Sequence, residues 1–169
     1  LIPGARSMRL QATYLSWVDF SGTGIDAEGL RVVNPENGAT RPLPFETPEA
    51  QVMAVVGGRG APASSAVNAE CGAGPAKIVQ WPDGLSLLFQ EDKFVGWSLD
   101  GRSGPKLTTM NGIGAGSTRT ELEGAFTTTV EESSLGTEFQ AGGLGGVLDG
   151  PGPEAKIATL WAGTTCVFR

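Results

Sequence analysis

Leu43-Pro44-Phe45-Glu46-Thr47-Pro48-Glu49-Ala50-Gln51-Val52 and Ile113-Gly114-Ala115-Gly116-Ser117-Thr118-Arg119-Thr120-Glu121-Leu122 share one pattern at an offset of 70 residues. Each reads as a turn, a helix-capping hydroxyl (Thr47, Ser117) and a short helix with apolar residues at helical spacing. In the first, Pro48 takes the opening helical position, where its missing N–H costs nothing, and Glu49 stands where the helix dipole favours an acid. A Gly-Leu strand and a Lys-led apolar strand then follow each helix. Repetition at a fixed offset takes precedence over any other fold argument. The expected fold class is therefore α+β: two tandem helix-plus-antiparallel-meander repeats with an N-terminal β-hairpin.

Apolar alternation fills in the strands. Residues 78–81, 85–89 and 94–99 make the first meander, with Pro82-Asp83-Gly84 and Gln90-Glu91-Asp92 as its turns. Residues 137–140, 144–148 and 156–161 make the second, and 166–168 suggest a terminal strand. Residues 8–20 read as a long strand and 30–33 as another, outside both repeats. The expected organisation is an N-terminal hairpin or edge addition over 1–42, a first repeat over 43–100 and a second over 106–169, packed as one domain. Residues 62–75, rich in small side chains, read as a loop carrying Cys71.

Composition narrows the function. At 169 residues with 40 % hydrophobic content, the chain can bury a real core. No stretch approaches the roughly 18 apolar residues of a membrane span. The net charge of −6 and the lack of a Lys/Arg cluster argue against nucleic acid, whose phosphates demand a basic stripe. Cys71 and Cys166 are the two cysteines, and an even count in a Gly-rich chain fits one disulfide in an oxidising compartment; the plainer alternative is two buried thiols. The chain opens on Leu1, which fits a processed product with a signal or lipid-anchor segment ahead of it. The expected location is secreted, periplasmic or cell-envelope.

Histidine is absent, which removes the commonest general base and metal ligand. With the cysteines paired, only carboxylate chemistry remains. Glu91-Asp92 reads as a turn, and Glu131-Glu132 on a strand would point to opposite faces, so both pairs read first as solvated surface. Asp149 and Glu154 flank a stiff Pro/Gly loop but lack the dense Asp/Asn ladder of a calcium loop. Gly112 to Thr118 could cradle a phosphate before a helix, yet Gly116 stands where a phosphate loop needs Lys. The sequence thus implies no catalytic residue, no metal and no cofactor.

The glycine-led entry Gly112-Ile113-Gly114-Ala115-Gly116-Ser117 with Leu122, and Leu43-Pro44-Phe45-Glu46-Thr47 with Val52, resemble the repeats of secreted β-lactamase inhibitor proteins. A single copy is similar to the small lipoprotein of the outer-membrane assembly machinery. Cys71-Gly72-Ala73-Gly74-Pro75, with Trp161-Ala162-Gly163 and Cys166, also resembles a class of secreted actinobacterial proteins. What the resemblance implies is a non-catalytic binding protein whose partner is another protein or an envelope component.

The tryptophans are the remaining signal. Trp97 and Trp161 occupy the last meander strand of each repeat, where core packing competes with a binding face. Trp81, before Pro82 at a turn, reads as the best exposed candidate, with Asp83 beside it. The sites to locate in the structure are the Cys71–Cys166 pair and the binding candidates Trp81, Asp83, Trp97 and Trp161. The competing functional class is a small carboxylate-based enzyme or ligand-binding protein, which would need a deep pocket lined by acids from different strands.

Overall fold

Strands dominate the computed structural model, which describes residues 22–34, 36–56, 61–71, 74–101 and 107–166. In order these carry β1 (Gly22–Asp26), β2 (Gly29–Val33), β3 (Thr40–Pro44), α1 (Glu49–Val56), β4 (Ser64–Asn68), β5 (Ala76–Gln80), β6 (Leu85–Gln90) and β7 (Lys93–Asp100). The remaining elements are α2 (Arg119–Ala125), β8 (Thr128–Ser133), β9 (Gly136–Ala141), β10 (Leu144–Leu148) and β11 (Ile157–Gly163). The strands expected over 8–20 and 166–168 lie wholly or in part outside the described residues.

β1, β2 and β3 form one antiparallel sheet. The other eight strands form a second, ordered β4-β5-β6-β7-β11-β10-β9-β8 and antiparallel throughout. At its centre β7 pairs with β11, setting Leu99 against Leu160 and Trp97 against Ala162. Alternation along these strands gives the large sheet two unlike faces. Val79, Leu85, Leu87, Phe94, Trp97, Leu99, Leu160, Phe139, Ala141 and Leu144 point one way and are buried. Ile25, Leu30, Val32 and Leu43 of the small sheet join the same core. Burying each such side chain contributes roughly 1.5–3 kcal/mol, and the Trp97 indole N–H adds a polar tie, donating to the Asp26 carbonyl at 2.9 Å.

The α+β class expected from the sequence is overturned. Among the described residues strands make up 49 % and helices 12 %, and the two helices there run only eight and seven residues. They bury little, Val52 and Val56 from α1 and Leu122 from α2, so they cannot form a layer opposite the sheet. The opposing layer is instead the small sheet, whose three strands replace the expected N-terminal hairpin. The protein is mostly β, with its core between two antiparallel sheets.

The repeated motif corresponds to something smaller. Glu46 N–H donates to Phe94 O, Phe94 N–H to Thr47 O, and Glu49 N–H to Asp92 O, at 2.7, 2.9 and 2.8 Å. Gly116, Ile157 and Arg119 N–H donate in the same way to Ile157, Ser117 and Ala155 carbonyls, at 2.8, 2.8 and 2.7 Å. Each helix entry is thus bonded to the start of a strand. Neither hydroxyl expected to cap a helix does so: Thr47 Oγ1 donates to Pro44 O, and Ser117 Oγ accepts from Gly114 N–H. The cap of α2 is Thr118, which exchanges two hydrogen bonds with Glu121 in a capping box.

Candidate functional site

The face of the large sheet turned away from the core is built from the small and polar members of the same alternating strands. Leu85-Ser86-Leu87 and Trp97-Ser98-Leu99 bury their apolar residues and so send Ser86 and Ser98, directly paired, to the other side. Trp161 pairs with Ser98 and joins them there, with Thr159 at the next outward position of β11. Ile78 and Gln80 extend the face across β5, and Gln140 across β9.

Trp161 sits near the middle of this face and is 9 % exposed. Its indole lies where a Cβ on the paired Gly145 would project, so β10 supplies a bare backbone floor for the ring. Beside it is a hollow of about 200 Å³ lined by Ile78, Ser86, Leu88, Ser98 and Thr159 on the strands and by Thr165 and Cys166 above them. Hydroxyls, apolar groups and the Gln80 amide line this hollow, and among the described residues no charged side chain does.

The upper wall is the chain leaving β11. Gly163 turns at φ +72°, Thr164 N–H donates to Val95 O at 2.8 Å, and the Thr164 carbonyl passes where a Cβ on Gly96 would stand. The segment then reaches Cys166, disulfide-bonded to Cys71 across 95 residues. The expected pairing is therefore present. β6 and β7 lie between β5 and β11 in the sheet, so the disulfide straps a central strand to the loop before β5 over the face that holds the hollow.

Trp81 and Trp97 belong to the core. Trp97 is fully buried and Trp81 is 2 % exposed, so Trp81 is no rim residue; its position before a turn is correct but its ring packs inward. Asp83 is a turn residue whose Oδ1 accepts from Leu85 N–H at 3.4 Å. Of the binding candidates, Trp161 alone lies on the outer face. Ser86, Ser98 and Gly145 were missed, although the alternation Leu-Ser-Leu and Trp-Ser-Leu was the signal that could have found them.

The carboxylates disperse. Glu91 and Asp92 form the β6–β7 turn with φ of 51° and 62°. Asp149 Oδ1 accepts from Lys156 N–H at 2.8 Å, closing its own loop. Glu131 and Glu138 do face each other across β8 and β9, bordering a hollow of about 140 Å³, and Glu138 accepts from Ser133 Oγ at 2.9 Å. Among the described residues, no helix is long and apolar enough to cross a membrane. Comparison with protein-family models, with curated proteins and with solved structures found no match to this chain.

Proposed function

We propose that this is a non-catalytic protein of an oxidising, extracytoplasmic compartment that binds another protein through the outer face of its large sheet. One observation carries the reading: the hollow beside Trp161, walled by a disulfide-strapped segment, lies at the middle of a face that carries many small and polar residues. Two hundred Å³ suits a single inserted side chain rather than a metabolite, since ligand pockets run to roughly 300–1,000 Å³. A rigid socket that receives one anchor residue is the common core of a protein interface.

Charge selects the partner. The outward positions of the strands carry the exposed Glu131, while the base there among the described residues, Lys93 at the β6–β7 turn, is paired with Glu46 at 3.7 Å. With a net charge of −6, the chain favours a partner with a basic rim around its anchor. The sequence resemblance to secreted inhibitors and assembly lipoproteins supports the reading as analogy only. A disulfide fits an extracytoplasmic location; secretion or lipid anchoring is the finer proposal.

Among the described residues, a carboxylate enzyme is favoured by a groove of about 680 Å³ bordered by Glu46 and Glu91, where Glu46 is already paired with Lys93, and by the hollow between Glu131 and Glu138. At about 140 Å³ that hollow lies well below a substrate pocket, and the binding reading is preferred. A photo-reactive residue at Gln80 or Gln140 should cross-link one protein in an extracytoplasmic extract of the source organism. The same group at Glu36, on the small-sheet side, should not. Equal labelling from all three positions would contradict the assignment of the face.

A further inference from the structure

The outer face of the small sheet carries a side chain that the reading above does not use. Arg31 alternates with the core residues Leu30 and Val32, so its guanidinium projects away from the core, over Gly24. It is nonetheless buried, with its side chain only 10 % exposed. The segment from Leu107 to Ile113 explains this, because Ile25 N–H donates to Thr108 O at 3.0 Å and seats that segment along the edge of β1. Between them runs a cleft of about 400 Å³ lined by Gly24, Arg31, Val33, Thr40, Thr108 and Met110, among others.

A guanidinium has five N–H donors, and this one uses them poorly. Nη2 makes a single long bond to Ile25 O at 3.4 Å. Nε is buried without a hydrogen-bond acceptor; Asp26 Oδ2, at 3.5 Å, offers it an ion pair. Buried polar groups are almost always satisfied, and a charged one left short of acceptors costs more than a neutral one. Thr40 and Thr108 also line the cleft. Met110, 78 % exposed, stands at its margin as an apolar contact.

We propose that this cleft binds a monocarboxylate, the carboxylate lying against Arg31 with threonine hydroxyls as further donors and an apolar substituent against Val33 and Met110. The charge present favours a single negative charge. Arg31 is the one cation lining the cleft among the described residues, and Asp26 already neutralises part of it. A phosphate dianion would meet the repulsion of Asp26 with no second cation or helix N-terminus among the described lining residues to offset it. The carboxylate could belong to a free organic acid or to the end of a peptide, and the chemistry at Arg31 is common to both.

The test is a titration followed by NMR at the Arg31 Nε–H and at the amides of Thr108 to Met110, with four probes. N-acetylleucine and 4-methylpentanoate carry the carboxylate with and without a peptide group; N-acetylleucinamide lacks the charge, and inorganic phosphate carries more of it. At least one carboxylate should shift these signals saturably in the millimolar range, and the tighter of the two identifies the source. Arg31→Gln should weaken that binding about 10-fold or more, the usual range for a charged hydrogen bond. Asp26→Asn, which keeps an oxygen for the bond from Glu28 N–H at 3.0 Å, should tighten it several-fold whether or not Arg31→Gln folds. Phosphate binding in preference to both carboxylates, equal binding of the amide, no saturation by any probe, or an Asp26→Asn variant that binds no tighter would each overturn the proposal.

Discussion

The indole of Trp161 rests on the backbone of Gly145, directly across the β10–β11 pair, in the space a Cβ would fill. This contact sets the ring angle and thereby one wall of the hollow. Gly145→Ala should push the ring off the sheet and cost about 1–3 kcal/mol, the usual penalty for overpacking. The check is tryptophan fluorescence with denaturant unfolding; an unchanged emission maximum and unchanged stability would show that the ring does not depend on Gly145.

The Cys71–Cys166 bond closes a loop of 95 residues. In the chain-entropy account such a closure stabilises by ~4–5 kcal/mol. The denatured, unreduced protein should show no free thiol, and reduction should lower stability by about that amount. Two thiols before reduction would refute the pairing and remove the upper wall of the hollow.

Trp97 links the two sheets through its hydrogen bond to Asp26 O. Trp97→Phe keeps most of the apolar area but loses this hydrogen bond and part of the ring's volume, so it should cost about 1–3 kcal/mol. Partner binding should be unaffected, because the ring faces the core. A loss of binding without a loss of stability would place Trp97 at the interface instead.

Glu121 has its pKa lowered below its ordinary value of 4.5, first by the Thr118 backbone N–H and then by the Thr118 side chain. A folded value below the unfolded one means stability that is present above the ordinary carboxylate range and lost as pH falls through the folded value. Glu121→Gln should therefore melt below the wild type at neutral pH and converge with it in acid. A melting difference independent of pH would show that the charge contributes nothing to the cap. Thr118→Ala should cost about 1 kcal/mol at neutral pH.

How much of this was readable depended on the kind of strand. β5, β6, β7, β9, β10 and β11 alternate or run apolar and were legible within a residue or two. β4 and β8 were not, because Ser64–Asn68 and Thr128–Ser133 are exposed edge strands with little apolar pattern. β3 hides behind Pro42 and Pro44, which suit an edge position. The class was misjudged for a related reason: two similar helix entries drew attention to helices that bury three side chains between them, while the opposing layer came from β1–β3. Cysteine parity predicted the disulfide, but no local signal in the sequence tells that Trp81 is enclosed or that Arg31 is covered by a segment some 80 residues later.

The most direct test of the binding face is the affinity of the protein cross-linked at Gln80, measured by calorimetry against the wild type and Ser98→Phe. Ser98 lies in the hollow beside Trp161, so a phenyl ring there fills the space meant for the partner's anchor without touching the core. Affinity should fall by ~2 kcal/mol or more, as for loss of a hot spot, with melting temperature nearly unchanged. Wild-type binding should also weaken as salt rises, as a basic partner rim requires. Undiminished affinity in Ser98→Phe would contradict the assignment of the hollow as the docking site.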